Sequence, residues 1–140
     1  MELAGETDLC AIVAGEPATV LFTGLMVRGD RGPAFQEMMR NPKPHYTPEL
    51  QKFTRAKIAA IHCPVLIVHG DIHQLKVLNQ EIIVPELKAA NKPVEYIEYS
   101  GQPHGFWWGA ADAAVGQKVF DDALAFVKPN LKTQPVFMFG

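Results

Sequence analysis

Two short segments near the middle of the chain, each rich in strand-forming residues and each followed by glycine and polar side chains, constrain its fold most. Residues 64–71 read P-V-L-I-V-H-G-D, and residues 94–106 read V-E-Y-I-E-Y-S-G-Q-P-H-G-F. The residues between them have a helical pattern over 75–91, which is long enough for one crossover helix. A strand, a helix and a strand in this order predict a parallel βαβ unit. Because ligands bind at the carboxyl ends of parallel strands, we expect the titratable residues of both segments to lie at one edge of a sheet.

The rest of the chain extends this pattern. Residues 9–14 form a nearly continuous apolar run, which is typical of a buried parallel strand. A helix is expected to begin after Thr47, with Pro48 in its first turn, and residues 116–127 predict an amphipathic helix. Within 75–91, Pro85 predicts a kink or a new helix start. The fold class predicted is α/β, with helices on both faces of a small, mainly parallel sheet.

The length of the chain suits a single domain over residues 1–140. Residues 17–48 are rich in proline and glycine, and they predict either a lid-like excursion or a solvated linker. The apolar, aromatic tail over 133–139 predicts either a further strand or a cover for an exposed surface.

Composition excludes several classes of function. The net charge of −2 argues against a nucleic-acid partner, and no apolar run approaches the ~20 residues that cross a membrane. The acidic N-terminus does not resemble a signal peptide, so we expect a cytoplasmic location. Cys10 and Cys63 are far apart and fit no zinc or redox pattern, and His69, Asp71 and His73 lack a further ligand at a suitable spacing. No metal is therefore predicted.

The H-G-D run, the helix that ends L-K-A-A-N-K-P and the segment that ends P-H-G-F together resemble the C-terminal half of an α/β-hydrolase. The resemblance covers roughly residues 9–128 and is strongest to dienelactone hydrolase and prolyl-oligopeptidase-type esterases and peptidases. It implies a partial α/β-hydrolase fold, hydrolysis of a carboxylic ester or amide without a cofactor, and a small-molecule ester or peptide as substrate.

His104 is the foremost candidate for a catalytic residue. It follows a predicted strand, and a histidine side chain titrates near neutral pH, which suits a general base. In the family that this chain resembles, the acid stands three residues after the glycine of the first segment, where this sequence has His73. Asp71 is therefore the candidate acid, although it is as well suited to bonding the backbone of the turn. Glu16 lies at the same end of the predicted sheet, and the sequence assigns it no role.

The nucleophile is the missing element of this site. The chain contains no G-x-S-x-G motif, and neither cysteine lies in an equivalent setting. Ser100 is the only serine and the candidate nucleophile within the chain, although a turn serine that bonds local backbone is the favoured interpretation. By resemblance, the chain begins after the segment that carries the nucleophile.

Two hypotheses follow from the missing nucleophile. The chain is either a serine esterase-type or peptidase-type hydrolase, with a nucleophile from another segment or another chain, or a catalytically inactive, truncated module that acts in binding or self-association. A sheet edge without a neighbouring strand favours pairing with a second copy, so a homo-oligomer is expected.

Overall fold

A computed structural model of the chain describes residues 9–25, 31–72, 74–106 and 113–131. Three parallel strands form one sheet in the order β1 (Ile12–Gly15), β2 (Val65–Gly70) and β3 (Val94–Tyr99). Gly15 pairs with Val68, and Gly70 pairs with Tyr99, so the three strands end at one edge of the sheet. The parallel unit that the sequence predicted, and the common edge at which its strands end, are confirmed.

Five helices accompany the sheet in the described part of the chain. They are α1 (Pro33–Arg40), α2 (Pro48–Ala59), α3 (Leu75–Leu78), α4 (Val84–Ala89) and α5 (Ala113–Val127), with short 3₁₀ turns at Lys43–His45 and Lys128–Asn130. The predicted start of α2 is confirmed, because the Thr47 hydroxyl caps it by accepting a hydrogen bond from the amide of Leu50 at 3.4 Å.

The segment that contains Pro85 follows one of the two predicted alternatives. A π turn over Asn79–Ile83 separates α3 from α4, and α4 begins at Val84 with the proline in its first turn. The backbone is helical on both sides of the π turn, and the amide of Val84 donates to the carbonyl of Asn79. Pro85, the next residue, has no amide hydrogen to donate.

The core lies on both faces of β2, which is buried along its whole length. Val65 and Ile67 pack against α2 and α4, whereas Leu66 and Val68 pack against α5 on the opposite face. This alternation follows from the two-residue period of a strand. The result is a three-layer α/β/α arrangement, as predicted.

The described residues between β1 and α2 are packed against the rest of the molecule. Val20, Met38 and Met39 are buried with Leu78 and Ile82 in a third apolar cluster. This cluster brings α1 against α3, near the edge at which the strands end.

Some sequence predictions fall outside the described residues. They concern His73 and the tail over 133–139. Phe106 is described, and it is 7% exposed and packs between β3 and α5. Within the described residues, no helix combines the length and the apolar composition that a bilayer span requires.

Candidate active site

Three loops, one after each strand, meet at the carboxyl edge of the sheet. Glu16 directly follows β1, Asp71 directly follows β2, and His104 lies in the loop after β3. The sequence predicted that Asp71 and His104 share this edge, and the structure bears this out. It adds Glu16, a residue to which the sequence assigned no role.

The Glu16 carboxylate lies between the other two loops and is buried, with 4% of the residue exposed. Its Oε1 accepts a hydrogen bond from the amide of Gly70 at 3.2 Å, and its Oε2 accepts one from the amide of Gly105 at 2.5 Å. Both oxygens therefore act as acceptors for backbone donors from different loops. A carboxylate can do this, because it presents acceptors only.

The His104 ring approaches the same carboxylate. Its Nδ1 lies 3.3 Å from Oε2 of Glu16, while 59% of the histidine side chain remains exposed. Because Nδ1 faces the carboxylate, Nε2 lies on the opposite side of the ring. A carboxylate beside Nδ1 is the arrangement by which an acid orients a general base.

Two backbone features shape this contact. Glu16 has φ of +44°, a left-handed conformation that is unfavourable for a residue with a side chain, and such strain is concentrated at functional sites. Gly105 has φ of +75°, which glycine adopts without strain. The tight turn after His104 thus directs the Gly105 amide toward the buried carboxylate.

Asp71, the acid that the sequence proposed, makes a different contact. Its Oδ1 accepts a hydrogen bond from the amide of Gly101 at 2.8 Å, and its own amide donates to the carbonyl of Tyr99 at 3.1 Å. These bonds tie the end of β2 to the loop after β3. They fit the alternative in which Asp71 bonds turn backbone, and a role toward His104 stays a prediction.

Ser100 lies in an exposed turn directly after β3. Its carbonyl accepts a hydrogen bond from Nε2 of Gln102 at 3.4 Å. This setting has none of the strand-to-helix geometry that exposes a nucleophilic serine beside an oxyanion hole. The role of Ser100 as nucleophile also stays a prediction.

A buried polar network anchors the residues that follow Glu16. Asn79, in the π turn, is fully buried; its Nδ2 donates to the carbonyl of Pro17 at 3.0 Å and lies 2.7 Å from Nε2 of His69. Its Oδ1 accepts a hydrogen bond from the Thr19 hydroxyl at 2.6 Å. Because Nδ2 can only donate, Nε2 of His69 is the acceptor and carries no proton. π turns occur often at functional sites, and this one places its amide where it fixes the chain on the C-terminal side of Glu16.

The sequence offered one signal that could have identified Glu16. In a parallel sheet every strand ends at the same edge, so a carboxylate directly after the first strand can reach the histidine loop as well as one directly after the second strand. The sequence could not show the left-handed turn that directs this side chain toward His104.

The described residues contain no group of three side chains of the kinds that ligate metals. The polar groups at the edge of the sheet suit proton transfer and the orientation of a histidine.

The fold is similar to that of an acylaminoacyl peptidase from Pyrococcus horikoshii, with a TM-score of 0.60 over 97% of this chain. The two sequences are 18% identical, and the chain spans 22% of the length of that peptidase. No protein-family model matches the sequence, and neither does any curated protein. At this identity the likeness concerns the fold, and the small parallel sheet with its flanking helices is an α/β-hydrolase-like fold.

Proposed function

We propose that this chain carries the base and the acid of a hydrolase that cleaves carboxylic esters or amides, with His104 as the general base and Glu16 as the acid that orients it. The observation that carries the proposal is the 3.3 Å approach of Nδ1 of His104 to a buried carboxylate at the carboxyl edge of an α/β-hydrolase-like sheet. The resemblance of the P-H-G-F segment to dienelactone hydrolase and prolyl-oligopeptidase-type enzymes supports the same assignment.

The chemistry would proceed through Nε2 of His104. With its proton on Nδ1, held by the Glu16 carboxylate, the ring presents a lone pair at Nε2. That nitrogen would take the proton of a hydroxyl group or a water molecule while the oxygen of that group attacks the substrate carbonyl. The Glu16 carboxylate would stabilise the imidazolium that forms. The hydroxyl nucleophile of the full reaction would come from another segment or chain, or from Ser100.

A second function is favoured by one specific observation. The sequence contains no G-x-S-x-G motif, so a hydrolase-like module that binds ligands or partners without turning them over is the alternative. Copies that associate through the sheet edge, as the sequence predicted, would fit this alternative as well.

Hydrolysis of p-nitrophenyl acetate by the purified chain tests the proposal. His104→Ala is the principal variant, and His62→Ala is its matched control, because His62 is also exposed and lies away from the carboxyl edge. We expect His104→Ala to lower the rate about 100-fold or more, as the loss of a general base does, and His62→Ala to leave it unchanged. Equal rates in the two variants would remove His104 from the reaction.

Three further variants assign the remaining roles. Glu16→Gln is expected to lower the rate at least about tenfold, because the amide does not hold the tautomer or stabilise the imidazolium. Asp71→Asn is expected to have a smaller effect. A rate that Ser100→Ala leaves unchanged would show that the nucleophile is a water molecule or comes from elsewhere. If the wild-type chain shows no hydrolysis above background, the non-catalytic alternative stands.

A further inference from the structure

We infer that the cavity beside His104 binds a small organic carboxylate with an apolar body, whose anionic end is received by Arg31. The inference rests on the proposed function, since it names the class of molecule that would be offered to His104. It depends on the shape, the walls and the charge of a single cavity.

The cavity has a volume of about 370 Å³, and His104 contributes to its wall. The remaining walls come from the segment after β1, from Arg31 and α1, and from the residues that begin α3. This volume lies at the lower end of the range typical of small-molecule sites. A bound molecule of modest size would therefore contact both His104 and the opposite wall.

Most of the wall is apolar and already packed. Met39 is fully buried and Val20 is 3% exposed, both within the cluster that joins α1 to α3, and Phe35 and Leu75 pack against that cluster. Because α1 and α3 hold these side chains in place, a ligand would meet a preformed surface. Such a wall favours an apolar body over a fully polar one, because burial removes apolar surface from water.

The polar side chains of the wall favour an anion. Among the described residues of the wall, Arg31 carries a permanent positive charge, and His104 is positive only when its ring is protonated. Gln36 and Gln74 add neutral amides, and the described residues of the wall include no aspartate or glutamate. The nearby Glu16 carboxylate is buried and accepts hydrogen bonds from two backbone amides.

Arg31 is suited to receive the anionic end of such a ligand. It is exposed, and no ion pair joins it to a carboxylate in the described part of the chain. A guanidinium presents parallel N–H donors that match the two oxygens of a carboxylate. A substrate held in this way would place its carboxylate at Arg31, its apolar body against α1, and its ester or amide group toward His104.

Binding of hexanoate to the full chain, measured by isothermal titration calorimetry, tests the inference without requiring turnover. Hexan-1-ol has the same apolar body without the charge, hexylammonium reverses the charge, and inorganic phosphate has charge without an apolar body. We expect hexanoate to bind at least about tenfold more tightly than each of the other three probes. Equal binding of hexanol or hexylammonium would overturn the role of charge, and equal binding of phosphate would overturn the role of the apolar wall.

Two arginine variants locate the anion site. Arg31→Gln is expected to weaken hexanoate binding about tenfold or more, the usual effect of losing hydrogen bonds to a charged group. Arg40→Gln is the matched control, because Arg40 is an exposed arginine at the end of α1 and is not among the residues that line the cavity. Equal losses in the two variants would show a nonspecific charge effect and would overturn the inference.

Amide chemical shifts of the same samples show where hexanoate binds. The largest changes are expected at Val20, Phe35, Met39 and Leu75, and changes confined to other surfaces would contradict the inference.

The failure of the proposed ligand class can be distinguished from the failure of the proposed function. Hydrolysis that depends on His104 without selective hexanoate binding would remove the ligand class alone. Selective hexanoate binding with no hydrolysis would remove turnover by this chain on its own and leave the ligand class standing.

Discussion

Replacing Glu16 with glutamine tests the buried carboxylate on which the site depends. In the wild type, its two oxygens accept hydrogen bonds from the amides of Gly70 and Gly105. Glutamine has the same shape but a single acceptor oxygen, so its NH₂ group would face one of the two amides, donor against donor. One of the two loops must then lose its anchor.

The size of the effect follows from these contacts. Hydrogen bonds to a charged group contribute about 1.5–3 kcal/mol each, so the two bonds of Glu16 together contribute about 3–6 kcal/mol. Glutamine retains one neutral bond of about 1 kcal/mol. We therefore expect the free energy of unfolding to fall by about 2–5 kcal/mol.

Urea denaturation followed by far-UV circular dichroism measures this loss. Glu95→Gln is the matched control, because the Glu95 side chain is exposed on β3, and we expect it to change the free energy of unfolding by less than about 0.5 kcal/mol. His104→Ala should reduce stability by less than about 1 kcal/mol, because its contact with Glu16 is largely exposed on the histidine side. A Glu16→Gln variant as stable as the Glu95→Gln control would refute the bridging role of the carboxylate.

Three further predictions concern the support of the site. A Cβ on Gly70 would overlap the carbonyl of Gln102, so Gly70→Ala should displace the loop that carries His104 and lower both the urea midpoint and any hydrolysis that depends on His104. Asn79→Ala removes three hydrogen bonds, two of them buried, and its unfolding free energy should fall by about 2–4 kcal/mol in the same assay. The Tyr99 hydroxyl, which donates to Asp122, holds the pKa of that carboxyl below its usual value, with Lys118 adding to the effect. The lowered pKa of Asp122 stabilises the fold at pH values above the unfolded pKa of about 3.9, and this stabilisation is lost as pH falls through the folded pKa. Tyr99→Phe should therefore make the free energy of unfolding less dependent on pH in acid. An unchanged pH profile would contradict this.

Much of the architecture could be predicted from short-range patterns. The runs of strand-forming residues before His69 and Ser100 predict adjacent parallel strands, and parallel strands end at a common edge because each crossover returns the chain to its starting side. That rule places Asp71 and His104 together before any coordinates are known. Proline and threonine at helix starts gave correct element boundaries for the same reason, since capping is a local property of the chain.

Which carboxylate meets the histidine is a matter of long-range geometry. Glu16 and Gly105 are 89 residues apart in the chain, and their hydrogen bond depends on the register of β1 with β2 and on a left-handed turn at Glu16. Asp71 is closer in sequence to the histidine, but its carboxylate accepts a hydrogen bond from the amide of Gly101 instead. Neither outcome is encoded in a local pattern.

The cavity that contains Arg31 and His104 depends on the same long-range packing. Residues 17–48 were predicted as either a lid-like excursion or a linker, and proline and glycine content alone does not distinguish the two. Met39 packs against Leu78 because α1 contacts α3, and this contact encloses the space beside His104. Local sequence determined the strands and the edge on which they end, since periodicity and capping act within a few residues. Only the packing of distant segments decided which acid, which amide and which arginine surround the histidine.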